Sequence, residues 1–120
     1  MTERKLSGVM GEEIARQYLQ QKGVDLLAVN WRWNHLEIDI VGIHEKKLII
    51  YEVKTRKSAE FGDPASFVNR KKQRLLIKAA NEFISQYKIK LEAQFDIIAI
   101  LYQNKTYEIT HIESAFQPGF

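Results

Sequence analysis

The spacing of apolar residues alternates along the chain between the period of a helix and that of a strand. Met10, Ile14, Ala15, Tyr18 and Leu19 recur at helical spacing and Gly23 follows as a stop, which predicts an amphipathic helix over about residues 7–22 with Ser7 as its N-cap. The runs DLLAVNWRW (25–33), LEIDIVGI (36–43) and LIIYEVK (48–54) are rich in strand formers, and the polar turn His44-Glu45-Lys46-Lys47 joins the last two into a hairpin. Residues 55–66 carry the Gly, Pro and Ser of a loop, with Asp63-Pro64 placed as an N-cap followed by proline at the first helical position. Within about 68–88, Val68, Leu75, Leu76, Ala79, Ala80, Phe83 and Ile84 form one stripe, and most Lys and Arg residues lie off it, as expected of a basic amphipathic helix. QFDIIAILY (94–102) reads as a buried strand and KTYEITHI (105–112) as its partner after the turn at Gln103-Asn104, while the tail from Glu113 adds no usable pattern.

The order α-β-β-β-α-β-β predicts an α/β sandwich with a central sheet flanked by two helices. A strand that follows a helical crossover can pair in parallel, which makes that sheet mixed. With 120 residues, the expectation is a single domain over 1–120. The absence of cysteine excludes a disulfide framework, a thiolate nucleophile and thiolate metal sites, and suits a reducing cytoplasm. The N-terminus has no apolar signal core, and no apolar run approaches the roughly 20 residues of a membrane span.

The net charge of +3 is unevenly distributed. Residues 54–90 hold ten basic and three acidic residues, a balance of +7, which leaves the remainder at −4. Such a split points to a basic surface for a polyanion beside a carboxylate-rich region that would repel it unless a cation intervened. An ordinary solvated basic helix has the same charge pattern.

The hairpin concentrates the candidate chemistry. A turn at 44–47 places Ile43 across from Leu48, Asp39 across from Glu52 and Glu37 across from Lys54, all four of the last on one face. Directly opposed residues have Cβ atoms about 4.5–5.5 Å apart, so two ionised carboxylates there repel each other. A divalent cation such as Mg2+ or Mn2+ relieves that repulsion, and so does a shared proton. Lys54 beside the pair would orient a water and stabilise charge on a phosphate under attack, which together describe metal-assisted phosphodiester hydrolysis. The plain alternative is an exposed sheet face with compensating charges, including a Glu37–Lys54 cross-strand pair.

Glu12, Asp39 and Glu52-Val53-Lys54, in that order, resemble the PD-(D/E)XK nuclease superfamily, in which a helix supplies a Glu and a hairpin an Asp and an E-x-K. More narrowly, the chain resembles the YraN family of small bacterial proteins, predicted endonucleases distantly similar to archaeal Holliday junction resolvases. The matching residues are Gly11-Glu12, Ala15, Tyr18-Leu19, Gly23, Asn30-Trp31-Arg32, Glu37-Ile38-Asp39, Glu52-Val53-Lys54-Thr55-Arg56, Phe61-Gly62, Pro64, Val68, Lys72, Leu76, Ala80 and Phe95-Asp96. Leu36 stands where a Gly commonly precedes the Glu, and Gln94 where an Arg commonly precedes Phe-Asp; both bear on turn shape and DNA contact more than on chemistry.

This resemblance implies a restriction-endonuclease-like fold in which Asp39, Glu52 and the Val53 carbonyl bind the metal, Glu12 completes the site and Lys54 serves the nucleophilic water. It implies a Mg2+- or Mn2+-dependent DNA endonuclease, with branched or distorted DNA among its candidate substrates. The alternatives are a nucleic-acid-binding module that keeps the fold without cleavage and a structural partner in a larger assembly. On the first helix Glu12 projects roughly 110° from the centre of the apolar stripe and Glu13 roughly 150°, so Glu12 lies nearer the core margin.

Arg56, Lys57, Lys71, Lys72, Arg74 and Lys78 are the candidate phosphate contacts. Gln73 is a candidate partner of the metal water or a surface residue, and Trp31 and Trp33 are packing residues or platforms for splayed bases. Asp96 is a candidate support for the site from behind. His35, His44 and His111 show no metal-ligand spacing and are assigned to surface or core, and Tyr51 and Tyr102 to packing. Cutting two strands needs two active sites, so a homodimer is an expectation from the task.

Overall fold

A computed structural model describes residues 8–57 and 62–118; the expected cap at Ser7 and the matching residue Phe61 lie outside them. The elements are α1 (Gly8–Gln21), β1 (Asp25–Trp33), β2 (Leu36–His44), β3 (Lys47–Lys57), a 3-10 turn (Pro64–Phe67), α2 (Arg70–Tyr87), β4 (Ala93–Gln103) and β5 (Thr106–Phe116). The five strands form one sheet in the order β1-β2-β3-β4-β5. All neighbours are antiparallel except β3 and β4, which run parallel across the α2 crossover, so the sheet is mixed. Among the described residues no helix is long and apolar enough to cross a membrane.

The two helices cover opposite faces. Along β3, Leu48 and Ile50 join the cluster built on Leu76, Ala80 and Phe83 of α2, whereas Ile49 and Tyr51 join Ala15 and Leu19 of α1. That alternation follows from the period of two in a strand, and burial on both faces accounts for the near-continuous apolar run in β4. The result is a restriction-endonuclease-like α/β sandwich.

Several boundaries differ from the sequence expectation. The turn between β2 and β3 is tighter than four residues: His44 pairs with Lys47, and only Glu45 and Lys46 turn, both with φ near the left-handed region (50° and 65°). Asp63-Pro64 does not start the long helix. Asp63 caps the 3-10 turn, Val68 returns to extended backbone and inserts its side chain into the core, and Asn69 caps α2 by accepting the Lys72 N–H at 2.9 Å. The supposed loop after Lys54 begins as strand, because β3 pairs with β4 as far as Lys57–Tyr102. The tail carries the end of β5, where Phe116 stacks on Phe95 with ring centroids 5.1 Å apart.

Candidate metal centre and basic face

The register between β2 and β3 follows the expected pairing, from His44–Lys47 to Ile40–Tyr51, and the ladder stops there. Beyond it, β2 stays paired to β1 through Ile38–Trp31 and Leu36–Trp33, while β3 stays paired to β4. The sheet therefore opens a notch between two strands at the position where directly opposed residues would both be carboxylates, Asp39 and Glu52. Loss of the ladder would leave β3 amides without partners, a costly outcome in a half-buried strand. Asp39 Oδ2 meets that need by accepting the Val53 N–H at 2.8 Å.

Glu52 lies on the α2 face of β3, in phase with Ile50, and is only 3% exposed. Burial, then the hydrogen bond and the charge of Asp39, push its carboxyl up to about 8, against the opposing pull of Lys72 and Lys54. Lys54 Nζ stands 3.8 Å from Glu52 Oε2 and Lys72 Nζ 3.3 Å from the same oxygen. These are ion-pair distances without hydrogen-bond alignment, since Oε2 is buried with no hydrogen-bond partner. The expected Glu37–Lys54 pair does not form. With the strands parted, Glu37 turns to Arg32 across the β1–β2 ladder at 3.5 Å, and Lys54 pairs along its own strand with Glu52.

Glu12 reaches the same notch from the α1 face. Partial burial, followed by the charges of Asp39 and Glu37, raises its pKa, while a hydrogen bond from Asn30 lowers it. The Asn30 amide, oriented from its hydrogen-bond network, donates to Glu12 Oε1 at 2.7 Å and Oε2 at 3.3 Å. Asn30 has φ 52°, and the half-buried positions of β1 change phase around it, from 26 and 28 to 31 and 33. Gly11 sets the approach of the helix: a Cβ built there would overlap the Thr55 hydroxyl of β3. Asn30 and Thr55 appear in the sequence only as matched positions, and their roles beside Glu12 emerge from the fold, whereas glycine at position 11 already suits a helix that approaches a sheet closely.

The other basic candidates separate. Lys71, Arg74 and Lys78 are exposed along α2, and Arg56 is exposed on β3 with its guanidinium 5.4 Å from the Phe67 ring. Lys57 is half-buried at the end of β3. Lys72 alone among the α2 cations turns into the notch. Gln73 is committed elsewhere, donating to the Val68 carbonyl at 3.0 Å. Trp31 and Trp33 pack on the α2-side core, Trp31 edge-on to Phe83 at 5.2 Å, as packing residues do.

Asp96 departs from its expected place behind the notch. It is 2% exposed on the α1 face and accepts from His111 Nε2 at 2.7 Å, Gln94 Nε2 at 2.9 Å and the Ser114 N–H at 3.0 Å. The other His111 nitrogen, Nδ1, meets the Tyr18 hydroxyl of α1 at 2.9 Å. Among the described residues, Asp96, His111 and Glu113 offer ligand atoms within 4.8 Å of one another, a group able to hold a metal ion, although both imidazole nitrogens are already engaged. Sequence spacing hid this group because its members come from two strands; the available signal was that His111 shares an inward face with Ile109.

The model of the Uncharacterised protein family UPF0102 matches residues 11–100, a span that contains Glu12, Asp39, Glu52, Lys54 and Lys72 and excludes His111 and Glu113. A UPF0102 protein of Flavobacterium psychrophilum is 43% identical over 97% of this chain and 98% of its own length. One from Christiangramia forsetii is 40% identical over the same shares, and one from Parabacteroides distasonis is 38% identical over 91% of this chain and 90% of its own. A match of that length, with relatives aligned almost end to end, shows that the chain belongs to the UPF0102 family, the YraN family that its ordered residues resemble.

Proposed function

We propose that the protein is a metal-dependent endonuclease that hydrolyses phosphodiester bonds in DNA, branched or distorted DNA included. The observation that carries this reading is Glu52: a carboxylate 3% exposed, with an oxygen that makes no hydrogen bond, set beside Asp39 and within 4 Å of the ammonium groups of Lys54 and Lys72. The donors fit a hard divalent ion, being carboxylate oxygens with one coordination position unsatisfied. Asp39 and Glu52 would hold Mg2+ or Mn2+, with the Val53 carbonyl and Glu12 completing the set as the family likeness implies. When bound, that ion supplies the positive charge that lets both carboxylates ionise, polarises a phosphate and acidifies its water.

The chain's own residues do the rest. Asp39 stays fixed by the Val53 N–H, so its second oxygen keeps one direction. Lys54, anchored by Glu52, orients water and stabilises charge on the phosphate oxygens. Asn30 aims Glu12. Lys71, Arg74 and Lys78, exposed along α2, and the exposed Arg56 would form the phosphate-binding face, which gives affinity without base sequence. A second reading, a nucleic-acid-binding module without cleavage, is favoured by one observation: Lys72 and Lys54 already place two positive charges beside the buried carboxyl.

Cleavage of labelled single-stranded, duplex, flap and four-way-junction DNA with Mg2+, Mn2+ or EDTA separates the two. Metal-dependent cutting by the wild type that is lost in Asp39→Asn and Lys54→Ala supports the nuclease. Equal binding by all three proteins with no cutting overturns it in favour of the module.

A further inference from the structure

Of the two lysines at Glu52, Lys72 is the closer, 3.3 Å from Oε2 against 3.8 Å for Lys54, yet its side chain is the more exposed, 38% against 23%. It sits in the first turn of α2, where the Asn69 side chain fixes its backbone N–H. The long stem can therefore swing while the helix stays in place. Its contact with Glu52 is charge alone, because Oε2 accepts no hydrogen bond. Its neighbours on α2, Lys71 and Arg74, are exposed, so an ammonium leaving the notch joins an existing basic face.

We infer that Lys72 is a displaceable counter-ion: it occupies the cation position at Glu52 in the metal-free protein, and withdraws to a DNA phosphate when a divalent ion is bound. The inference rests on the metal-dependent reading above. A divalent ion on Oε2 repels the ammonium 3.3 Å from that oxygen more strongly than Lys54 does, because it carries twice the charge and binds closer than 3.8 Å. Lys54 is less affected, being farther away and held on the same strand as Glu52. Lys72 then couples the two halves of the site. It sets a positive charge beside Glu52 until a metal binds, and adds its charge to the phosphate surface once the metal has replaced it.

Calorimetric titration of Mn2+ without DNA, beside a salt-controlled DNA-binding assay, tests this on the wild type, Lys72→Met, Lys72→Gln, Lys71→Met and Asp39→Asn. Both Lys72 variants should bind Mn2+ several-fold more tightly than the wild type and bind DNA several-fold more weakly. General damage to the fold would weaken both. Lys71→Met should weaken DNA binding and leave Mn2+ affinity unchanged. Unchanged or weaker Mn2+ binding in both Lys72 variants, with Mn2+ binding lost in Asp39→Asn, overturns the counter-ion and leaves the metal site standing. Absence of Mn2+ binding in the wild type overturns both.

Discussion

Asp39 accepts the backbone N–H of Val53, so a side chain on β2 completes the hydrogen bonding of β3 just where their ladder ends. One carboxylate thus serves the fold with Oδ2 and remains available to the notch with its other oxygen. The two duties separate by substitution. Asp39→Asn keeps an acceptor for Val53 and should fold with little loss, but should abolish stabilisation by Mn2+. Asp39→Ala removes the acceptor as well and should cost about 1–3 kcal/mol, the usual penalty for a half-buried amide left unpaired. Denaturant unfolding with and without Mn2+ reads both effects.

The approach of α1 to the sheet gives a second test. An added methyl at Gly11 meets the Thr55 hydroxyl, so Gly11→Ala must move the helix that carries Glu12. Overpacking of this kind costs about 1–3 kcal/mol. Thr55→Ala removes the hydroxyl, and the double variant should recover much of the loss. Purely additive losses in a double-mutant cycle would show that Gly11 acts elsewhere.

The raised pKa of Glu52 makes the stability of the metal-free protein depend on pH. Burial and Asp39 favour the protonated form, whose pKa of about 8 lies above the ordinary 4.5. The folded state thus binds this proton more tightly than the unfolded state. Its stabilising contribution is full below pH 4.5 and is lost as pH rises through about 8. In EDTA, Glu52→Gln, which carries a neutral side chain at every pH, should lack that decline. Parallel pH profiles for wild type and variant, measured by chemical denaturation, would assign the decline to other groups.

How much of this was legible depends on the range of the interaction that decides it. The β2–β3 register could be read because a polar turn between two strand-forming runs leaves one phase that buries Ile40 with Tyr51 and Val41 with Ile50. The parting of those strands could not be read, because it depends on β1 and β4 holding opposite sides of the notch. Lys72 was half legible. It lies four residues before Leu76 and eleven before Phe83, in line with the buried face of α2, which the count of basic residues obscured. The ends of β3 and β5 depend on pairing with β4 and on the Phe95–Phe116 stack, contacts distant in sequence.

The second donor group makes the assignment of the metal a matter of experiment. In Asp96–His111–Glu113, His111 is locked between Tyr18 and Asp96, so a metal there must break a hydrogen bond at one ring nitrogen. At Glu52 a buried oxygen has no hydrogen bond to lose. The lower cost favours the notch, so Mn2+ should stabilise His111→Ala as strongly as it stabilises the wild type and should fail to stabilise Asp39→Asn. His111→Ala should itself lower stability by about 1–3 kcal/mol, since it leaves both the buried Asp96 carboxylate and the Tyr18 hydroxyl without their imidazole partner. Thermal melts across a Mn2+ series resolve the two: the baseline shift reports the network and the slope against metal reports the site. A Mn2+ response lost in His111→Ala and kept in Asp39→Asn would move the metal to β4 and β5 and remove the main support for hydrolysis at the notch.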